Sequence, residues 1–276
     1  MRFVIGWSSS LRVVVPHLVA GFAWAGSVSV VWAGDCQWQA LGAGVNGVVL
    51  GVGTYQGDII MTGDFTMAGS VAALNIARWE ESTGTWHALG SGLNARGFAL
   101  IEHNGDLIAA GDFNSAGGVV VDHIARWDGS QWHAIAGGDT LFHTARQLVI
   151  HDGQVVTNGT NHYCGGLACG IQSRVNALAG GAWAPIGGGF SQDVNTLAVY
   201  QGELLAGGHF AQFCVGYACL PACANPPCTW TPINFLARRV GGQWEQFGGG
   251  ANGSVNDLLV IGVSCTPAAT SRRSAA

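Results

Sequence analysis

The sequence predicts an all-β protein built from repeated four-stranded antiparallel sheets, and three observations support this fold class. First, one pattern returns about every 50 residues: W-x-A-L-G-x-G-x-N, an apolar run, G-[DE]-[LI]-[LI]-x-x-G-D-F and then I-A-R-W. Second, each unit holds four short apolar stretches that are too short for helices. Third, glycine supplies 44 of the 276 residues, which fits frequent turns and close strand packing.

The repeat is marked by its tryptophan. Copies open at Trp38, Trp86, Trp132, Trp183 and Trp244, at intervals of 48, 46, 51 and 61 residues. Self-similarity at a fixed period of this size indicates an architecture in which each unit packs on its neighbours. The chain supplies four full units and the start of a fifth.

The second unit shows the predicted strands most clearly. They are Phe98 to His103, Asp106 to Phe113, His123 to Trp127 and Trp132 to Ile135. Asn104-Gly105 and Asp128-Gly129 separate successive strands, and such dipeptides tolerate the positive φ of tight hairpins. Four antiparallel strands in about 50 residues describe the blade of a β-propeller. A parallel β-solenoid has shorter rungs and lacks regular two-residue hairpin turns, so we predict a propeller.

Propellers protect their sheet edges by closing a ring, usually of four to eight blades. With four full units and part of a fifth, we expect an incomplete ring. Closure as five blades would require the N- and C-terminal strands to complement one another.

Residues 1–33 have the features of a secretory signal peptide. Arg2 and Arg12 precede an apolar run from Val13 to Ala33, and Val31-Trp32-Ala33 resembles a cleavage site. We therefore expect residues 34–262 to form the propeller of a protein located in the periplasm, at the cell surface or outside the cell. The alternative is an uncleaved segment, which would be the chain's only route to the membrane.

If the protein is exported, its cysteines are expected to form disulfides, because the environment there is oxidising. Two lie between the second and third strands of unit three, and four lie in the expanded equivalent segment of unit four: Cys164, Cys169, Cys214, Cys219, Cys223 and Cys228. Paired cysteines in loop insertions of an exported protein predict local disulfides. The alternative is a four-cysteine zinc site in the unit-four insert. Its spacing, C-x₄-C-x₃-C-x₄-C, departs from the usual zinc-knuckle pattern.

The C-terminus departs from the repeat. Val255 to Ile261 match Val194 to Tyr200, but Val263 to Arg273 match nothing else in the chain. A shifted reading of a possible coding sequence for that stretch gives ELYAGGDFAT, the strand that the repeat leads us to expect. We predict that residues 263–276 are an out-of-frame tail, the alternative being a coincidence of GC-rich codons. Cys265 would then be an artefact of the shift.

The charge balance argues against nucleic-acid binding. The net charge is −5, charged residues make up 10% of the chain, and all 11 basic residues are arginines scattered along it. A phosphate backbone requires a basic patch or stripe. We expect no nucleic-acid partner.

The ionisable residues fit structural roles better than catalytic ones. Asp64 and Asp112 recur in G-D-F, and an aspartate beside a turn usually caps backbone N–H groups. His87 and His133 both follow the repeat tryptophan, which marks them as blade residues. We therefore predict no enzyme activity, no metal and no cofactor.

The recurring arginines and tyrosines also fit the blade. Arg78, Arg126 and Arg238 recur in I/L-A-R, where we expect them to pair or stack between blades. Tyr55 and Tyr200 share a position just before a hairpin turn, where a structural aromatic residue is expected.

Two segments carry a family resemblance. Asn75 to Asn94 and His123 to Gly138 resemble the blade repeat of secreted bacterial kelch-like propellers and are similar to the repeats of fungal cortical polarity markers. The resemblance covers Trp38 to about Ile261 and lacks the regular kelch tyrosine. It implies extracellular interactions without one shared chemistry.

These observations predict a non-catalytic exported scaffold for recognition or adhesion, with an extracellular protein or glycan as partner. The candidate binding loop lies in the unit-four insert and carries Phe213, Tyr217, Leu220 and Trp230. These side chains could instead fill a small core of the loop. The alternative function is a carbohydrate-active enzyme with its site in the loops of units three and four.

Overall fold

A computed structural model describes residues 40–135, 145–160, 173–215 and 229–260. Within these ranges the regular structure consists of strands and contains no helix, and each of the four units forms a four-stranded antiparallel sheet. The predicted all-β class and blade-like sheets are therefore confirmed.

Each sheet is described by its strands, numbered in chain order. The first contains β1 (Val48–Tyr55), β2 (Asp58–Asp64), β5 (Ile76–Glu80) and β6 (Thr85–Ala88), with the hairpin β3 (Met67–Ala68) and β4 (Val71–Ala72) between β2 and β5. The second contains β7 (Gly97–His103), β8 (Asp106–Gly111), β11 (Ile124–Trp127) and β12 (Trp132–Ala134), with the hairpin β9 (Ser115–Ala116) and β10 (Val119–Val120).

The third and fourth sheets repeat this order. The third contains β13 (Ala145–His151), β14 (Gln154–Thr160), β15 (Ser173–Ala179) and β16 (Ala182–Pro185). The fourth contains β17 (Val194–Tyr200), β18 (Glu203–Gly208), β21 (Leu236–Val240) and β22 (Gln243–Gln246), with the hairpin β19 (Gln212–Val215) and β20 (Thr229–Pro232). The short hairpins were not predicted.

Tight turns join the first two strands of every sheet. Both central residues have positive φ, as a type I′ hairpin requires; for Asn104 and Gly105 the values are 52° and 84°. The predicted Asn-Gly turn is thus confirmed. Asp128-Gly129 differs, because Asp128 uses its carboxylate to accept from the backbone N–H groups of Ser130 and Gln131 instead of adopting positive φ itself.

The core lies between neighbouring sheets. One cluster joins Tyr55, Ile60 and Ile76 of unit one to Leu107 and Phe113 of unit two. Similar clusters join units two and three, and units three and four. Because each sheet buries both faces only with a neighbour on each side, successive units stabilise one another.

The repeat tryptophans connect consecutive units. The Trp132 Nε1–H donates to the Leu89 carbonyl oxygen at 2.9 Å, and the Trp244 Nε1–H donates to that of Ile186 at 3.1 Å. Each acceptor lies one repeat before its donor. The W-x-A-L-G motif therefore supplies both a buried ring and an acceptor for the next unit.

The fifth-unit segment lies against unit four. The Val255 N–H donates to the Gly208 carbonyl oxygen at 3.0 Å, and the Leu258 N–H to the Thr196 hydroxyl at 3.0 Å. Gln147 of unit three likewise accepts from the Leu197 N–H of unit four. The fifth-unit segment thus contacts unit four in the same way as β17 contacts unit three. The described ranges do not include a closed ring, and they contain no helix long and apolar enough to cross a membrane.

Candidate functional site

The two ends of the sheets differ in sequence variety. One end of the sheets is where β2, β8, β14 and β18 end. We call it the insert end, because the cysteine-containing segments of units three and four follow β14 and β18. We call the opposite end, where the type I′ turns lie, the turn end.

The turn end is built from residues fixed by the repeat. The Tyr55 hydroxyl donates to the Gly105 carbonyl oxygen at 3.1 Å, which ties unit one to the turn of unit two. Tyr55 is buried, as expected of a structural aromatic, and burial raises the pKa of its phenol. Tyr200 at the same position in unit four is 41% exposed. Glu203, the cross-strand partner of Tyr200, places its Oε2 3.4 Å from Arg238 Nη1.

The recurring arginines form ion pairs within their own sheets. Arg126 lies 2.8 Å from Asp106, and Arg78 lies 3.6 Å from Asp58. The expectation that these arginines pair between blades is therefore wrong. In unit three the corresponding residues are Gln154 and Ala177, so both partners of the pair are missing together. This joint loss indicates that the pair serves the sheet.

The two histidines that follow the repeat tryptophan also pair locally. His87 lies 3.1 Å from Glu80, and His133 lies 2.6 Å from Asp128. The hydrogen bond from His133, with others from Ser130 and two backbone N–H groups, holds the pKa of the Asp128 carboxyl far below its usual value. The described residues contain no group of three or more His, Cys, Asp or Glu that could hold a metal.

The motif asparagine caps the short hairpins at the insert end. The Asn46 carboxamide oxygen accepts from the N–H groups of Thr66 and Met67, and Asn94 does the same in unit two. Asp64 and Asp112 do not make these caps, so the predicted capping role of the aspartates is wrong. Asp112 instead accepts from Arg96 at 2.8 Å.

A β-bulge occupies the insert end of the first strand of each of the four sheets, which we call the inner strand. The register skips one residue in β1, β7, β13 and β17, and the four skipped residues have no cross-strand partner: Leu50, Phe98, Arg146 and Asn195. We call these four the bulge row. Bulges often re-aim side chains beside binding sites. Leu50 is 45% exposed, Arg146 is exposed, and Phe98 and Asn195 are half-buried.

Aligning the repeats could have identified the bulge row from sequence. The position is Leu, Phe, Arg and Asn in units one to four, whereas the preceding position holds only Val, Gly or Ala. A varied residue beside an unvaried one indicates a surface position at fixed geometry. The bulge row lies in neither a repeated motif nor an insert, so none of its residues was among the predicted site residues.

The unit-four hairpin places one predicted binding residue in the core. Phe213 is 3% exposed and packs on Phe190, with ring centroids 6.4 Å apart. It aligns with Ala68 and Ala116, which are also buried and make the same isolated bridge to the preceding connection. The premise that the blade pattern does not require Phe213 is therefore wrong. Trp230 is half-buried on β20.

Most of the cysteine-rich insert lies outside the described residues. Tyr217, Leu220, Cys164, Cys169, Cys219, Cys223 and Cys228 all fall there. Cys214 is buried in β19. The disulfide pairings proposed for both inserts stay predictions.

Comparisons with known proteins show no family for this chain. No family model matches it, and no curated protein sequence matches it. Among solved structures, the computationally designed Ika4 protein has 15% identity and a TM-score of 0.42, covering 62% of this chain and 92% of that one. The computationally designed Ika8 protein has 12% identity and a TM-score of 0.41, covering 80% of this chain and 68% of that one. Likenesses this weak support no argument.

Proposed function

We propose that this protein is an exported, non-catalytic recognition or adhesion scaffold, a propeller that binds an extracellular partner at its insert end. One observation carries the proposal: unit-specific residues concentrate at the insert end, whereas the turn end repeats the same tight turns. Residues that the fold does not require and that differ between repeats are free to serve binding.

The inserts follow the same logic. In unit one, β3 and β4 are joined by Gly69 and Ser70, and the register places residues 214–230 of unit four in the place of that turn. A loop extended this far beyond its repeat equivalent needs its own stabilisation, for which we propose the predicted disulfides. A loop pinned in this way loses little entropy when it binds.

Replacing residues 214–230 with Gly-Ser tests the proposal. This variant keeps Phe213 and its partner Thr231, so we expect the melting temperature to change by no more than a few degrees. The matched control is Gln201→Asn, which gives the fourth turn the Asn-Gly sequence of the second.

Attachment of the exported protein to whole cells, matrix proteins and a glycan array is the measurement. We expect the control to attach like the wild type and the Gly-Ser variant to lose attachment at least about tenfold. Undiminished attachment of the Gly-Ser variant would remove the insert from the binding surface. Turnover of a glycan by the wild type would contradict the scaffold function and favour the alternative, a carbohydrate-active enzyme.

A further inference from the structure

We propose that the bulge row forms the specificity contacts for an extended peptide segment of a protein partner, with Arg146 receiving a carboxylate of that segment. This inference rests on the proposed function and names the residues and ligand class of its insert-end surface.

The row is continuous across the units. β1 contacts β7, β7 contacts β13 and β13 contacts β17, so the four bulges follow one another along adjacent inner strands. The first two strands approach so closely that a Cβ on Gly51 would lie 2.5 Å from the Phe98 carbonyl oxygen. Phe98, Arg146 and Asn195 stay accessible although each of their units has a preceding unit.

Arg146 is the charged member of the row. It is exposed, and it forms no ion pair or hydrogen bond among the described residues. Arginines that serve the sheet, such as Arg126, are bound to carboxylates. A guanidinium presents a fork of donors that matches a carboxylate in two parallel hydrogen bonds. An acidic side chain is therefore the ligand group that fits this position.

Phe98 and Asn195, which flank Arg146 in the bulge row, offer the peptide an apolar and a polar contact. The Arg96 guanidinium carbon lies 5.8 Å from the centre of the Phe98 ring, and its ion pair with Asp112 holds it there. The Asn195 Nδ2–H donates to the Val255 carbonyl oxygen at 3.1 Å, and Nδ2 also lies 3.0 Å from His209 Nδ1. Asn195 Oδ1 is therefore left to accept from a ligand N–H.

The surface favours a peptide over a glycan. Sugar rings stack on open aromatic faces, but one face of Phe98 is covered by Arg96. The repeat tryptophans in the described ranges are buried: Trp86, Trp132, Trp183 and Trp244. The large apolar side chains exposed at the described insert end are aliphatic: Val48, Leu50, Leu74, Val119 and Val120. An extended peptide carries apolar and acidic side chains within one short segment, so it can meet these aliphatic side chains and Arg146 together.

A random 12-residue peptide library displayed on phage, panned on the wild-type protein, provides the probe. We expect selected peptides to share an acidic residue flanked by apolar residues. Because the net charge is −5, general attraction cannot produce an acidic preference. Arg146→Gln should weaken the selected peptides about tenfold or more, and Arg146→Glu should select basic peptides instead.

Two further variants complete the test. Phe98→Ala should also weaken binding, with circular dichroism confirming its fold. Asp152→Asn, which changes one exposed charge at the turn end of the same sheet, should leave affinity unchanged. Equal affinity of Arg146→Gln and wild type for the selected peptides would overturn the proposal that the bulge row binds a peptide. Binding of glycans only would overturn it too, while the scaffold function would stand. A wild type that binds no peptide and attaches to nothing would overturn both.

Discussion

Asn176 is a buried amide at a position where the other units have alanine. Its side chain is 0% exposed, and neither Oδ1 nor Nδ2 has a hydrogen-bond partner in the described parts of the chain. The repeat equivalents Ala77, Ala125 and Ala237 are also fully buried. Asn176→Ala should therefore stabilise the protein.

The magnitude follows from two opposing effects at Asn176. Leaving a buried polar group unsatisfied costs about 1–3 kcal/mol, which the substitution recovers. It also removes about 25–30 Å³ of side chain, and a cavity of that size costs roughly 0.7 kcal/mol. The net gain in the free energy of unfolding is about 1 kcal/mol. For a domain of this size the melting temperature should rise by about 2–4 °C.

Urea unfolding followed by tryptophan fluorescence, with a thermal melt, measures this effect. Ala125→Asn is the matched control, because it introduces the same unsatisfied amide into unit two and should destabilise by about 2 kcal/mol or more. If Asn176→Ala instead lowers the free energy of unfolding by about 1 kcal/mol, the amide is satisfied in solution. The reasoning from its missing partners would then be refuted.

Three further predictions test the assigned structural roles. Trp132→Phe should lower the free energy of unfolding by about 1 kcal/mol more than Trp86→Phe, because only Trp132 of the two donates from its buried Nε1; equal losses in urea melts would refute this. The depressed pKa of Asp128 stabilises the fold above about pH 4, and this stabilisation is lost as the pH falls. Asp128→Asn should therefore shrink the drop in urea midpoint between about pH 5 and pH 2.5, and an unchanged drop would contradict the assignment. Phe213→Ala should cost about 3–5 kcal/mol, while half-buried Trp230→Ala should cost clearly less, and the reverse order in thermal melts would place Phe213 outside the core.

Much of the fold could be predicted because the repeat encodes local geometry. The predicted strands of unit two agree with β7, β8, β11 and β12 to within two residues at each end. Asn104-Gly105 also predicted the correct turn, because both residues tolerate the positive φ that a type I′ turn requires. Period and turn chemistry are local signals, so one sequence suffices to read them.

Side-chain roles were harder to predict because they depend on contacts between units. Asp112 was expected to cap a turn, but Arg96 lies across the strand and takes its carboxylate, while Asn94 makes the cap. Phe213 looked surplus because its equivalents, Ala68 and Ala116, are small. All three lie three residues after the motif phenylalanine, and the structure adds that the position is bridged to the preceding connection and buried. The bulge row likewise emerges only when whole repeats are aligned, because no motif within a single unit marks the skipped residue.

Binding at the insert end is the central claim, and hydrogen–deuterium exchange measures it most directly. Exchange would be compared for the exported protein alone and saturated with its strongest selected peptide. We expect slower exchange around the bulge row and the unit-four insert, with no change at the turns of Asn104-Gly105 and Gln201-Gly202. Protection confined to those turns, with the bulge row unchanged, would contradict the account.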